Sequence, residues 1–259
     1  MSGAQLAEGF AAALVISTLT APVGVSGAVF LLPVQLNVLH VPNPSVTPTN
    51  LLFNVIAGPG ALFRYRRAGR LTGPLTRRLL AGTVPGVIGG AVVRVYLVPG
   101  PRAFRLVVAA VLLPLGIWLI ARTLRPVTTP RPPLSSNRIT AMAVAVGLVG
   151  GIYGIGGGSI LGPVLVGSGM AVAVVAPAAL ASTFATSIVG AATYAVLAIN
   201  ATGSIAPRWG VGVACGLGGL VGGYLGARLQ PHLPERQLRL LLGVLAIALA
   251  VLYLAEAAQ

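Results

Sequence analysis

Two glycine-rich strings interrupt long apolar runs of this 259-residue chain, and their residue types are suited to holding a small polar solute. The first, GVSG at residues 24–27, precedes Pro33, and the second, GIGGG at residues 154–158, precedes Pro163; corresponding residues lie 130 positions apart. A membrane helix tolerates such a break only where protein or a water-filled cavity satisfies the freed backbone groups. A break that occurs twice therefore indicates two halves that share one site, as in many transporters.

The chemistry that these breaks offer is hydrogen bonding to an oxyanion by neutral donors. A helix that begins just after a glycine break presents unpaired amide groups and the positive end of its dipole. Polar side chains on two other predicted helices can complete a neutral cage, because each pair is spaced i, i+4 and so shares one helix face. The predicted substrate-binding residues are Ser26, Gly27, Gly156, Gly157, Gly158 and Ser159 at the breaks, together with Asn50, Asn54, Thr183 and Ser187.

The composition of the chain indicates the elements that position these residues. Hydrophobic residues make up 56% of the chain, charged residues only 8%, and the mean hydropathy is +0.94. A water-soluble globule is therefore excluded. Crossing a bilayer requires about 20 apolar residues per helix, and we predict an all-α integral membrane protein with about eight transmembrane helices.

These eight helices are predicted to form two four-helix repeats, with the first helix of each broken at its glycine-rich string. Residues 1–124 form the first repeat, residues 125–137 a linker rich in proline and arginine, and residues 138–259 the second repeat. At a spacing of 133 positions two polar pairs correspond: Asn50 with Thr183, and Asn54 with Ser187.

The charge balance points to membrane topology. All 17 basic residues are arginines, against three glutamates, which gives a formal net charge of +14. The arginines fall between apolar segments without an aromatic-basic recognition stripe, so nucleic-acid binding is not expected. Cys215 is the only cysteine, which excludes an intrachain disulfide and a cysteine-pair metal site. We expect neither a metal nor a cofactor.

The positive-inside rule gives an expected orientation. The arginines of residues 64–78 and of the central linker are expected on the cytoplasmic side, and with eight crossings both termini are expected there as well. Six arginines then fall on the opposite side, which is more positive charge than the rule favours there: Arg94, Arg102, Arg105, Arg228, Arg236 and Arg239.

Longer strings around the second break carry a family resemblance. They are GIYGIGGGSILGPVLV from Gly151 and APAALASTFATS at residues 176–187, and the pattern G-x-G-G-G-x-x-x-x-P is met at residues 154–163. With its two halves of four predicted helices, the chain resembles the sulfite exporter TauE/SafE family, also called four-toluene-sulfonate-uptake-type permeases. The first half departs from the pattern, since Ser26 occupies a glycine position and Asn50 stands where many relatives carry serine.

The resemblance implies a multi-pass permease of the cytoplasmic or inner membrane. Its substrate would be a small anion, such as sulfite, sulfoacetate or another sulfur oxyanion or organosulfonate, moved through a site between the two repeats. The expected partners are this anion and the lipid bilayer, and a homo-oligomer is left open. The identity of the anion, the direction of transport, the coupling mode, and whether the broken helices cross or re-enter are not indicated by the sequence.

Alternatives to a permease remain open. A non-transporting membrane scaffold or assembly protein also has glycine-rich helices, although it has no need of two broken ones. An anion channel can share the whole architecture. An enzyme is disfavoured because the predicted helices contain no nucleophile with a base and no set of metal ligands. Tyr65, Tyr153 and Tyr194 are interpreted as interface anchors or packing residues.

Overall fold

The structure, a computed structural model, describes residues 3–71, 73–97, 101–124, 135–199 and 206–258. Within these ranges it is helical and contains no strand, so the prediction of an all-α protein is confirmed. Residues 125–134 of the predicted linker lie outside the described residues.

Ten α-helices run through the described part of the chain. A 3-10 turn at Ala21–Val23 extends the first of them, a π-helical turn at Val34–Val38 extends the second, and a 3-10 turn at Gln230–His232 extends the ninth. The helices in chain order are α1 (Gly3–Thr20), α2 (Ala28–Pro33), α3 (Asn43–Arg67), α4 (Pro74–Tyr96), α5 (Pro101–Leu124), α6 (Ser136–Tyr153), α7 (Gly158–Gly167), α8 (Val172–Ala198), α9 (Trp209–Leu229) and α10 (Glu235–Ala258).

Five of these helices are long and apolar enough to cross a membrane: α1 and α9 with their extensions, α4, α8 and α10. The bundle also exposes large apolar side chains on its outer surface, where Val15, Val244 and Val251 are each more than half exposed. Such a surface fits a lipid environment and not water. The chain is therefore an integral membrane protein, while its division into two repeats stays a prediction.

Helices α1 and α9 pack side by side in the same direction. Their contacts advance together along both helices, because glycines of α9 approach backbone carbonyls of α1 at four-residue steps, as expected for close packing through small residues. The contacts are Gly218 with Phe10, Gly222 with Leu14 and Gly226 with Thr18.

Helices α4 and α6 make the corresponding parallel pair. The small residues again recur every four positions on both helices, and the contacts are Gly82 with Ala143, Gly86 with Gly147 and Gly90 with Gly151. The first helix of each half thus packs on a helix of the other half. This reciprocal packing is what two inverted repeats would produce.

The direction of α3 shows how the broken segments run. It is parallel to α9, with Leu52 beside Gly212 and Ile56 beside Gly216, and so it is also parallel to α1. Since α1 and α3 run the same way, the short helix α2 between them must run back. The same holds for α7, because α6 and α8 are both antiparallel to α3. Each broken segment is therefore a re-entrant pair of helices, which gives five helices in each half where the sequence predicted four.

These directions divide the arginines unequally between the two ends of the bundle. One end, the arginine-rich end, is formed by the C-terminal ends of α1, α3, α5, α7 and α9 and by the N-terminal ends of α4, α6, α8 and α10. Its described arginines are Arg64, Arg66, Arg67, Arg70, Arg77, Arg78, Arg122, Arg138, Arg228, Arg236 and Arg239. The opposite, arginine-poor end carries both chain ends and Arg94, Arg102, Arg105 and Arg208.

The arginine distribution changes the expected orientation of the chain. Arg228, Arg236 and Arg239 share an end with the arginines of residues 64–78, whereas the sequence placed them on opposite sides. The sequence expectation assumed that each broken segment crosses the membrane once, and the re-entrant geometry removes that assumption. The first and last described residues, Gly3 and Ala258, lie at the arginine-poor end, so the positive-inside rule now predicts that this end faces away from the cytoplasm.

Cysteine labelling tests this orientation. Ala68 and His40 are exposed in loops at the arginine-rich and arginine-poor ends, respectively. We expect a membrane-impermeant maleimide applied to intact cells to label His40→Cys and not Ala68→Cys, while the buried Cys215 gives the background in the unaltered chain. Labelling of Ala68→Cys alone would reverse the assignment.

Neighbouring glycines of α4 test the close packing against α6. A Cβ on Gly90 would lie 2.1 Å from the carbonyl oxygen of Leu148, whereas a Cβ on Gly89 meets nothing within 4 Å. We expect Gly90→Ala to lower the stability by about 1–3 kcal/mol, as overpacking does. Gly89→Ala should be neutral or stabilising, because alanine is the better helix former. Thermal unfolding in detergent measures both, and an equal loss in the two variants would contradict the packing.

Candidate functional site

The two glycine breaks have the same backbone conformation at two pairs of positions, although Gly156 is left-handed and its counterpart Ser26 is not. Gly24 and Gly154 end the preceding helical segments in the left-handed region, with φ of 79° and 69°, a conformation that favours glycine because it lacks a Cβ. Gly27 and Gly157 then precede α2 and α7 with φ of −59° and −63°. The spacing of 130 positions therefore relates residues that have the same local structure.

The two short helices begin close to each other in the interior of the bundle. The backbone N–H of Ser26 donates to Oγ of Ser159 over 3.3 Å. Oγ of Ser26 accepts from the N–H of Ala28 at 3.2 Å, and Oγ of Ser159 donates to the carbonyl of Ile155 at 3.0 Å. Since the first amides of a helix lack intrahelical partners, the two serine side chains satisfy donors where α2 begins and link it to α7.

Asn54 connects the two breaks through its side chain. It lies midway along α3 and is 2% exposed. Its Oδ1 accepts from the hydroxyl of Ser26, and its Nδ2 donates to the carbonyl oxygen of Gly154 at 3.3 Å. A single amide thus satisfies a polar group from each break, and the structure brings Ser26, Asn54 and Ser159 into one network.

Three other predicted site residues have buried oxygen atoms without a hydrogen-bond partner among the described residues. Asn50 donates through Nδ2 to the carbonyl of Ala28 at 3.2 Å, but its Oδ1 is unpaired, as are Oγ1 of Thr183 and Oγ of Ser187. None of the three residues is more than 3% exposed. Leaving a buried acceptor or hydroxyl unpaired costs about 1–3 kcal/mol of stability. We therefore expect each of these atoms to bind a water or a ligand, or to find a partner in another conformation.

The glycines of the second break allow close helix packing. A Cβ on Gly158 would lie 1.8 Å from the carbonyl oxygen of Ala179, and one on Gly157 would lie 2.6 Å from Cγ2 of Thr83. Gly156 is in the left-handed region, with φ of 71°. Packing and backbone conformation therefore account for these residues without a bound solute, and their role as anion donors stays a prediction.

A small, partly open cavity lies beside the first break, between α1, α3, α8 and α9. Its polar lining consists of four hydroxyl residues and one amide: Ser17, Thr20, Ser26, Thr183 and Asn54. Gly27 also lines it, whereas the other predicted site residues do not. The lining residues contain no charged side chain, so the cavity offers hydrogen bonds to a solute without an ion pair.

This cavity extends from the middle of the bundle toward the arginine-rich end. Asn54 and Thr183 lie near the midpoints of their helices, while the lining residues Thr20, Ala61 and Leu180 lie closer to the arginine-rich end. The hydroxyl oxygens of Ser17, Thr20 and Thr183 have no partner among the described residues. Three residues that line the cavity therefore have a buried hydroxyl oxygen without a partner among the described residues.

Sequence reasoning missed two of these hydroxyl residues. Ser17 and Thr20 are spaced i, i+3 and so lie on one face of α1, in the turn directly before Pro22. Hydroxyl groups that immediately precede a helix break were the available signal, but the prediction considered only the residues of the break itself.

The structure decides between the two interpretations given for Tyr65 and Tyr194. Tyr65 is 2% and Tyr194 is 4% exposed, so they are buried packing residues and not interface anchors. The hydroxyl of Tyr65 donates to the carbonyl of Ala21 at 3.2 Å, and that of Tyr194 donates to the carbonyl of Gly151 at 3.0 Å. Each acceptor lies three residues before the left-handed glycine of its break.

Comparison with known proteins identifies the family to which this chain belongs. The family model described as Sulfite exporter TauE/SafE matches residues 9–253 of the chain, which include both breaks and all residues of the cavity. The chain belongs to the TauE/SafE family. No curated protein and no solved structure matches it. TauE/SafE proteins are membrane permeases for anions, so the predicted family and the class of membrane transporter are confirmed.

The network around Asn54 yields a stability prediction. Asn54→Ala leaves the carbonyl of Gly154 and the hydroxyl of Ser26 without their partner, and we expect a loss of about 1–3 kcal/mol. Asn137→Ala, at an exposed position in the first turn of α6, should change the stability by no more than about 0.5 kcal/mol. Thermal unfolding of the two variants in detergent makes the comparison. Equal stability of Asn54→Ala and the unaltered chain would show that the network contributes nothing.

Proposed function

We propose that the chain moves a small sulfur oxyanion or organosulfonate, such as sulfite or sulfoacetate, across the cytoplasmic membrane. The observation that carries this proposal is the cavity lined by unpaired hydroxyl groups of Ser17, Thr20 and Thr183. Hydroxyl and amide donors suit the oxygens of such an anion. Because they carry no charge, they can also release the anion, as transport requires.

The proposed path lies between two halves, residues 1–124 and 138–259, joined by residues 125–137. The contact between Ser26 and Ser159 at the start of the two short helices supports a site shared by both halves. The proposed substrate-binding residues remain those of the sequence prediction, with Ser17 and Thr20 added. Four of the predicted residues, Ser26, Gly27, Asn54 and Thr183, border the cavity directly.

The lining also bears on how transport is driven. It contains no aspartate, glutamate or histidine, the residues that commonly relay protons inside membranes. We therefore propose movement down a gradient or by exchange of anions, with no carboxylate relay in the cavity.

A matched pair of substitutions on α8 tests this function. Thr183→Val keeps the shape of the side chain and removes a hydroxyl that borders the cavity. Thr193→Val removes a hydroxyl that donates to the carbonyl of Val189 in its own helix at 2.8 Å. A hydrogen bond to a charged group contributes about 1.5–3 kcal/mol, so we expect sulfite flux into proteoliposomes to fall about tenfold or more in Thr183→Val. Thr193→Val should retain the flux of the unaltered chain.

The same proteoliposomes separate the alternatives. Sulfite, sulfoacetate and chloride are each assayed, with and without the same anion trapped inside. Stimulation by trapped anion identifies a carrier, and its absence alongside rapid flux identifies a channel. If none of the anions moves, or if Thr183→Val moves sulfite as fast as Thr193→Val, the proposed function is wrong, and a scaffold becomes the better interpretation.

A further inference from the structure

The two buried tyrosines make equivalent contacts at opposite ends of the bundle. The acceptor carbonyls, of Ala21 and Gly151, are 130 positions apart, which is the spacing of the breaks. Tyr65 ties α3 to the end of the α1 segment near the arginine-rich end. Tyr194 ties α8 to the end of α6 near the arginine-poor end. In each half, a tyrosine hydroxyl therefore joins the broken segment to the third helix of that half.

The surroundings of the two tyrosines differ. On the side of Tyr65 the interior contains the cavity, and Phe184 is one of its walls. Leu51, which corresponds to Phe184 at the spacing of 133, is completely buried in a cluster with Ala91 and Tyr194. The arginine-poor side of the interior is thus filled with side chains where the arginine-rich side is open.

The polar residues show the same asymmetry. Asn54 and Thr183 border the cavity, and their counterparts at the spacing of 133 are Ser187 and Asn50. Both counterparts are 0% exposed, and both carry an oxygen without a partner among the described residues. Buried polar groups are normally paired, so these two oxygens point to a second conformation in which water or a solute reaches them.

We propose that Asn50 and Ser187 line a second half of the substrate path. This half leads from the breaks to the arginine-poor end, and Tyr194 keeps it closed in the conformation described above. This inference rests on the proposed transport function. Opening requires that the hydroxyl of Tyr194 leave the carbonyl of Gly151 and that Leu51 and Ala91 separate. The end of α6 then moves away from α8, and the anion meets the oxygens of Asn50 and Ser187 in place of those of Thr183 and Asn54. Tyr194 is a positioning residue in this step, because it acts by holding two helices together.

Side-specific labelling of a new cysteine tests the closed half of the path. Ser187→Cys exchanges oxygen for sulfur with little change in shape, and Cys215, which is buried, gives the background in the unaltered chain. A small charged methanethiosulfonate is added from the arginine-poor side of proteoliposomes, without any anion substrate. We expect slow labelling of Ser187→Cys, and labelling about 3-fold to 10-fold faster when Tyr194→Phe is added. The substitution removes the hydroxyl that bonds to the carbonyl of Gly151 and to Thr47 and so holds the closed state.

Tyr65→Phe is the matched control, since it removes the equivalent hydrogen bond at the other end. It should not accelerate labelling of Ser187→Cys from the arginine-poor side. Equal acceleration by both tyrosine variants would mean general loosening of the bundle and would overturn the proposal. So would the absence of labelling at Ser187→Cys with Tyr194→Phe when Thr183→Cys is labelled from the arginine-rich side.

The labelling result is independent of the choice of anion. If Ser187→Cys reacts as expected while no sulfite or sulfonate is transported, the closed half of the path stands and the proposed substrate class fails. If sulfite is transported while Ser187→Cys stays unreactive in every variant, the transport function stands and this inference fails.

Discussion

Inside a bilayer no solvent pairs with exposed backbone, so a helix that stops within it must find other partners for its amides and carbonyls. Side chains supply many of them around the two breaks. Asn54 donates to the carbonyl of Gly154, Asn50 to that of Ala28, and Gln230 to that of Pro22 at 2.6 Å. The two tyrosine hydroxyls serve the carbonyls that precede the breaks. Part of the polar interior of this protein therefore follows from its broken helices, because these buried side chains bind backbone groups that the breaks leave unpaired.

Close backbone contact is the second consequence of the breaks. The short helices α2 and α7 occupy the interior, so the long helices around them must approach each other through glycine. The parallel pairs α1 with α9 and α4 with α6 join segments from different halves, with glycines against backbone carbonyls at intervals of one helical turn. Neither half can bury these glycine faces by itself. The two halves therefore form one interlocked bundle and not two separate units side by side.

Local features of this architecture were predictable from the sequence. The glycines at 24 and 154 need the left-handed conformation, and a repeated glycine break predicts a shared interior site; the structure places Ser26, Asn54 and Ser159 together there. The directions of the helices were not predictable, because re-entry of α2 and α7 depends on contacts between segments that lie far apart in sequence. That error also misplaced Arg228, Arg236 and Arg239. The prediction missed Ser17 and Thr20 for a related reason. These hydroxyl groups become part of a cavity wall only in the assembled bundle, where α3 and α8 lie across the cavity from α1.

The five helices in each described half have a consequence for how such a protein can arise. A unit with an odd number of helices ends on the side of the membrane opposite to where it began. If the gene for one unit is copied in tandem, the second copy therefore inserts upside down without any further change. The arginines must then be redistributed, because a charge pattern that orients the first copy would oppose the second. In this chain a dense run of arginines occurs only at residues 64–78, so the two halves do not carry the same charge pattern.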